Sequence, residues 1–333
     1  MVVASTAGTM KAIRAHGPGS PAALKVEEVE RPIVSDDSVL VRVRASSANP
    51  VDLYSLTPVA HLQRSLKPGA VGTDFAGTVE SVGKAVTLFR PGDEVFGGGR
   101  GAFAEYMCIP ERKAVVRKPA GLSFEQAGTV AVAGTTALQA LRDHGRVERG
   151  QRVLINGASG GVGTFAVQIA KSFGAEVTAV CSSSHVDVVR SIGANRVIDY
   201  TKEDFTQGGE HYDLMLDIAG NHSWSECKRV LDPGGSYVGV GAAGIQHGKG
   251  GGWRALGHFL QVRLASIGGG RNVVAVFVAS LKKDDLVLLG DLLASRRVQP
   301  VIERRYDLGG ISEALDYLAT GHAGGKIAIE VGQ

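Results

Sequence analysis

The chain has 333 residues, with 36 Lys and Arg against 33 Asp and Glu, 46 Gly and only 3 Cys. That length is enough for two domains with cores needing no covalent staples. A formal charge of +3 and aromatics at 6 % give no basic, aromatic-lined platform for nucleic acid. Three Cys (Cys108, Cys181 and Cys227), far apart in sequence, cannot build a four-thiolate zinc site and allow one disulfide at most. No apolar run reaches the ~18 residues of a membrane span. The longest, Val273 to Leu281, reads as a buried helix. Residues 1–9 lack the basic start of a secretory signal, so an intracellular, cytoplasmic protein is expected.

The first third reads as β. Val39 to Ala45 alternates apolar and polar residues, Thr78 to Val82 repeats the pattern, and Phe103 to Ile109 is another strand candidate. Turn signals at Pro68-Gly69, Gly83, Pro91-Gly92-Asp93 and Gly97 to Gly101 separate them. Several short strands at this spacing point to a small barrel or rolled sheet. From about Ser123 strands and helices alternate. Gln151 to Asn156 is a short buried strand, and Val162, Phe165, Ala166, Ile169, Ala170 and Phe173 share one helical face, stopped at Gly174. Strands follow at Glu176 to Cys181, Arg196 to Tyr200, Tyr212 to Ala219 and Ser236 to Val240. A short helix spans Asp187 to Ile192, another ends near Leu231, and Asp232-Pro233-Gly234-Gly235 reads as a turn. Such β-α-β repetition requires a parallel sheet with helices on both faces. The glycine-rich segment Gly241 to Gly252 reads as a mobile loop. After a helix ending near Ser295, strands at Val298 to Arg304 and Lys326 to Val331 flank a helix over Ile311 to Leu318, and these pieces fit with the first domain.

The informative segment is Asn156 to Gly163, N-G-A-S-G-G-V-G, between a strand and its helix. Ala158, Gly160 and Gly163 make A-x-G-x-x-G, a dinucleotide fingerprint with Ala in the first glycine slot. Gly160 lets backbone approach a pyrophosphate, Gly163 lets helix pack on strand, and the helix N-terminus attracts the anion. Ser159, Gly161 and Val162 belong to the same cradle. The next strand ends about 20 residues on, where an NAD site carries Asp or Glu. Here Cys181-Ser182-Ser183-Ser184-His185 stands instead. Hydroxyls and a His can donate to a 2′-phosphate that a carboxylate would repel, which favours NADPH.

Together these residues resemble the medium-chain dehydrogenase/reductase superfamily, in its zinc-independent quinone oxidoreductase branch. The resemblance runs from Met10 through M-K-A-I-R-A, N-P-V-D (Asn49 to Asp52), G-T-D-F-A-G-T-V-E-S-V-G (Gly72 to Gly83) and F-R-P-G-D-E-V-F-G (Phe89 to Gly97). It continues with A-G-T-T-A (Ala133 to Ala137), the glycine loop, V-I-D-Y (Val197 to Tyr200), L-D-P-G-G (Leu231 to Gly235) and G-K-I (Gly325 to Ile327). It implies an α/β protein: a GroES-like β-barrel catalytic domain over 1–122 and 297–333, and a doubly wound Rossmann domain binding NADP over 123–296. The active site is then expected in the cleft between them.

Zinc-dependent alcohol dehydrogenases of the superfamily carry a Cys near the position of Pro50 and a His-Glu pair where this chain has Thr73 and Asp74. The resemblance therefore implies no metal, and hydride transfer to a quinone or α,β-unsaturated carbonyl. By motif, Asn49, Tyr54 and Thr136 fall beside the nicotinamide and substrate. Ser182, His185 and Tyr200 match ligands of the 2′-phosphate, while Gly241 and Lys326 lie among the cofactor-lining positions. A homodimer with a small-molecule substrate is implied as well. Plainer readings stand beside these: Asn49 as a turn residue before Pro50, Tyr54 as a half-buried aromatic, Thr136 as a helix-start residue, His185 as a solvated first-turn residue. Asp52, Asp74 and Asp217 read as turn, cap or core-rim carboxylates, and Cys181 as a packing residue. Two alternatives stand beside this: an enoyl-thioester reductase, since related reductases share the scaffold, and a cofactor-binding protein without turnover, to which the departure of Ser55 to Lys67 from the family pattern points.

Overall fold

The computed structural model describes residues 8–16, 19–57, 70–240, 273–277 and 279–332. Strands β1 (Thr9–Ala15) and β2 (Leu24–Glu30) pair as an antiparallel ribbon. A seven-stranded sheet follows, built from β3 (Ser38–Ala48), β4 (Asp74–Val82), β5 (Glu94–Gly98), β6 (Tyr106–Pro110), β7 (Val115–Arg117) and two C-terminal strands, β14 (Ile302–Asp307) and β15 (Lys326–Glu330). Its order is β14-β15-β3-β4-β5-β7, with β6 also on β3. The C-terminal strands therefore complete the first sheet, as the strand-rich ends of the sequence imply. Val39, Val41 and Val43 of β3 pack into a core with Phe75, Val79, Phe103, Ile311, Leu315 and Ile329.

The second sheet is wholly parallel: β8 (Arg152–Asn156), β9 (Glu176–Cys181), β10 (Arg196–Asp199), β11 (Tyr212–Asp217), β12 (Leu231–Val240) and β13 (Val273–Phe277), in the order β10-β9-β8-β11-β12-β13. The order reverses between β8 and β11, and the carboxyl ends of strands at such a switch point are where doubly wound sheets bind ligands. Helix α4 (Gly161–Ser172) packs Phe165, Ala166, Ile169 and Ala170 onto this sheet. Gly174 stops it at φ +87°, a backbone that glycine adopts without strain. Among the described residues the other α-helices are α1 (Pro50–Tyr54), α2 (Phe124–Ala127), α3 (Ala131–Gln139), α5 (Val186–Ser191), α6 (Trp224–Arg229), α7 (Lys283–Ala294) and α8 (Ile311–Ala319).

Three expectations need correction. Val273 to Leu281 is not a buried helix: Val273–Phe277 is a strand, paired parallel with β12 at Tyr237↔Val273 and Val238↔Val274. A short β-branched apolar run suits a strand of a parallel sheet as well as a helix, and periodicity cannot separate them. The Asp232-Pro233-Gly234-Gly235 turn is a bulge within β12, with Gly234 at φ +91° and the register against β11 shifting between Tyr212 and Leu214. The strand expected from Val298 starts at Ile302, because Pro300 has no N–H to give a ladder. Gly241 and the Gly241 to Gly252 loop lie outside the described residues, as do residues 58–67 of the divergent segment.

Candidate functional site

The glycine loop leaves the end of β8. Gly157 turns the chain at φ +86°, and Asn156 pins the start of the turn by donating to Asp217 (2.9 Å) and Asn221 (2.8 Å). Asp217, at the end of β11, also accepts from Tyr237 (2.8 Å) and the Gly220 amide (2.9 Å). It is thus a buried anchor of the switch point. Gly160 caps the twelve-residue helix α4. A methyl group on Gly163 would lie 2.1 Å from the Gly157 carbonyl oxygen, so helix and loop touch there. A methyl on Gly160 would find nothing nearer than 3.6 Å, which leaves that face open. Ser159, Gly160, Gly161 and Val162 are partly exposed, and Ala158 is buried beneath them. An open loop face at a helix N-terminus suits a pyrophosphate. The chain therefore fits a dinucleotide, which Ser159 to Gly163 would hold.

Beyond β9, Ser182 Oγ lies 3.1 Å from His185 Nδ1 and 2.9 Å from Ser184 Oγ. The Tyr200 amide donates to the Cys181 carbonyl (3.0 Å), which brings half-exposed Tyr200 beside Ser182. Ser183 turns away: its hydroxyl donates to Asp199 (2.5 Å). Asp199 also accepts from Thr201 (2.7 Å) and pairs with Lys202 (2.9 Å), and these bonds hold its carboxyl well below the usual range. Lys202 thus brings a cation to this corner from the end of the neighbouring strand, where a search along the β9 loop could not find it. The imidazole of His185 rests on Gly324, so closely that a methyl there would sit 2.1 Å from Nε2.

The second half of the site is a buried polar cluster. Asn49 ends β3 and opens α1, and its carboxamide is locked in one orientation. Nδ2 donates to Asp74 Oδ2 (3.0 Å) and the Ser47 carbonyl (3.1 Å), while Oδ1 accepts from Lys326 Nζ (2.5 Å). Both its donors are spent inside the protein, leaving one lone pair on Oδ1 for anything bound. Asp74 accepts from Ser47 (2.7 Å) and, through Oδ1, from the Val132 amide (2.7 Å) at the start of α3. Thr136 lies one turn further along α3 and donates to the Val132 carbonyl (2.6 Å). Asn49 and the helix bearing Thr136 are thus tied through a single carboxylate.

Asp52, in α1, accepts from the Asn49 amide (2.8 Å) and the Thr73 hydroxyl (3.1 Å). Burial pushes its carboxyl up to about 7, with nearby Asp74 adding to the effect. Burial lowers the Lys326 ammonium from its ordinary value, against the pull of Asp74 and Asp52. Tyr54, also on α1, is half-buried, and loss of solvent raises its phenol.

Lys326 is where the two halves meet. Its ammonium lies in the buried cluster, 3.5 Å from Asp74. Its stem passes Gly161, where a methyl would sit 3.1 Å from Lys326 Cδ. Among the described residues, no three His, Cys, Asp or Glu side chains form a group able to hold a metal. The cysteines are free, and burial pushes the Cys181 thiol up to about 11, which suits packing. No helix among the described residues is long and apolar enough to cross a membrane.

Comparison with known proteins agrees with this geometry. Residues 35–120 match the alcohol dehydrogenase GroES-like domain, and residues 192–329 match the zinc-binding dehydrogenase family. The chain is 35 % identical over 320 residues to the trans-enoyl reductase pgmF of Aspergillus terreus, covering 89 % of this chain and 86 % of that one. A quinone oxidoreductase from Coxiella burnetii superposes with a TM-score of 0.84 at 28 % identity, covering 97 % of this chain and all of the other. The Escherichia coli quinone oxidoreductase complexed with NADPH gives 0.78 at 25 %, covering 96 % and 100 %. The chain is an oxidoreductase with a nicotinamide-dinucleotide site, and it belongs to the medium-chain dehydrogenase/reductase superfamily, in the quinone oxidoreductase branch.

Proposed function

We propose that this protein is an NADPH-dependent reductase of quinones or α,β-unsaturated carbonyls that works without zinc, as a cytoplasmic homodimer divided into domains at residues 122/123 and 296/297. The observation that carries the reading is the seam itself. An open glycine loop lies against Lys326, and Lys326 reaches a buried cluster in which amide, hydroxyl and carboxylate groups hold one another in place. NADPH, when bound, supplies a hydride. A conjugated acceptor is already electrophilic at carbon, so the protein's part is positioning and hydrogen bonding to the developing enolate. Asn49 Oδ1, Tyr54 and Thr136 would line that reaction, with Ser159 to Gly163 on the pyrophosphate. Ser182, His185 and Tyr200, backed by Lys202, would meet the 2′-phosphate.

Oxidation of NADPH by the pure protein with a panel of quinones and enones tests this reading, and consumption with none of them refutes it. Ser182→Asp is expected to weaken NADPH more than NADH, and equal effects would remove the 2′-phosphate assignment. The likeness to a trans-enoyl reductase supports a second reading, an enoyl-thioester reductase. Faster turnover of a crotonyl-type thioester than of any quinone would select it.

A further inference from the structure

Reduction of an enone needs a proton at the α-carbon as well as a hydride. Six polar side chains surround the junction of β3, α1, β4 and β15: Ser47, Asn49, Asp52, Thr73, Asp74 and Lys326. Five are buried, and only Thr73 is partly exposed. Its hydroxyl lies 3.1 Å from Asp52 Oδ1, whose other oxygen is fixed by the Asn49 amide. The groups facing Asp52 are that amide on its own helix, Thr73 and Asp74 at the start of β4, and Lys326 at the start of β15. Two carboxylates thus share one ammonium, so the cluster is short of one positive charge. A proton on Asp52 makes up the difference, and burial favours that form. Asp74 differs, because four donors already meet its two oxygens: Ser47, Asn49, the Val132 amide and Lys326.

Resting on the enone reading above, we propose that Asp52 is the proton reservoir of the reaction and that Thr73 is the catalytic residue delivering its proton to the substrate. With Asp52 protonated, its O–H donates to Thr73 Oγ, and the Thr73 hydroxyl hydrogen is free to face the substrate. The electron pair of the enolate takes that hydrogen and forms the new α-C–H bond. Thr73 Oγ takes the Asp52 proton in the same exchange. Asp52 is left as a carboxylate, accepting from Thr73, and regains a proton from solvent. The substrate gains one hydride and one proton, and NADPH is oxidised to NADP⁺.

The test uses the full-length protein. Thr73→Val keeps the side-chain shape and removes the hydroxyl, and Thr73→Ser restores it. In the wild type, enone kcat should fall as pH rises through about 7, because deprotonated Asp52 has nothing to give. Thr73→Val should lose about 10²-fold in enone kcat, the low end of general acid contributions, and also lose that inflection. Thr73→Ser should recover both. In D2O the wild type should place deuterium on one face of the α-carbon, and Thr73→Val should scramble it. Without cofactor, infrared spectra between pH 5 and 9 should show a carboxylic acid band that titrates in the wild type and is missing from Asp52→Asn. Unchanged rate, pH profile and deuterium stereochemistry in Thr73→Val would overturn the relay and leave the enone reading standing. A wild type that reduces no enone removes that reading and the relay with it.

Discussion

Replacing Lys326 by Met tests the buried cluster most directly. Lys326 is 3 % exposed, and its Nζ donates to Asn49 at 2.5 Å and faces Asp74 at 3.5 Å, both partners being as deeply buried. Met fills a similar volume, so packing contributes little to the difference. What is lost is a charge-assisted hydrogen bond, worth about 1.5–3 kcal/mol, and the counter-charge of Asp74. Breaking a buried pair from one side costs about 3–5 kcal/mol. Asp74 keeps the donors Ser47, Asn49 and the Val132 amide, which places the expected loss near the lower figure, about 3 kcal/mol at pH 8. The loss should shrink towards pH 5. Without the ammonium Asp52 binds a proton more readily, and protonation removes its repulsion from Asp74. In an Asp52→Asn background the same substitution should cost less, with a coupling of about 1 kcal/mol. Urea unfolding followed by fluorescence and by circular dichroism at the two pH values measures all of this. A Lys326→Met protein within about 0.5 kcal/mol of wild type, the range of ordinary surface changes, or an equal loss at pH 5 and pH 8, would refute the reasoning.

Gly163→Ala forces a methyl to within 2.1 Å of the Gly157 carbonyl oxygen and 2.7 Å of Ala158 backbone, so α4 must move off the loop. It should cost about 1–3 kcal/mol and abolish NADPH binding by calorimetry. Gly160→Ala meets nothing nearer than 3.6 Å and should unfold at the wild-type temperature while binding NADPH more weakly. In Gly324→Ala the atoms nearest the new methyl belong to the imidazole of His185, a side chain that can rotate; the melting temperature should hardly change while NADPH affinity shifts a few-fold. For Asp52 the folded-state value of about 7 exceeds the ordinary 3.8. The folded protein therefore binds the extra proton between those limits, and stability from this group is complete below pH 4 and lost as pH rises through 7. Thermal melting of Asp52→Asn against wild type should show the variant gaining steadily from pH 4 to pH 8.

The glycine loop was legible because its pattern is local: strand, loop and helix lie within Arg152–Ser172, with Gly157 turning the chain at φ +86° and Gly163 set against the Gly157 carbonyl. The C-terminal return to the first sheet could be read from its strand pattern, although Pro300 moved the start of β14. Val273–Phe277 differs from the helix the sequence suggests because five apolar residues carry no period that tells a parallel strand from a helix. The buried cluster was visible only in fragments. Asn49 and Lys326 were singled out by motif, but 277 residues separate them in sequence and no local pattern announces a hydrogen bond between them. Asp52 and Asp74 read as caps and rims, and the first part is true, since Asp52 caps α1 and Asp74 caps α3. Their shared ammonium, and the burial that follows from it, come from tertiary placement alone. Lys202 escaped for the same reason, reaching Ser183's carboxylate partner from the adjacent strand.

Strand register makes the two halves of the site interdependent. β15 runs antiparallel to β3 with Ile327 opposite Ala48 and Ala328 opposite Ser47, so the pairing continues to set Lys326 against Asn49. A slip of one residue would turn every side chain of β15 to the other face, putting Ile327 where the ammonium now meets Asp74. Buried Ile327 and Ile329 in the core of the first sheet resist that slip. The hydrophobic pattern of five C-terminal residues therefore fixes the charge balance of a cluster whose other members lie between residues 47 and 74. The same strand begins directly after Gly324 and Gly325, which lie against His185 and Gly161. A single short segment thus touches the glycine loop at Gly161, the corner after β9 at His185 and the buried acid cluster at Asn49 and Asp74.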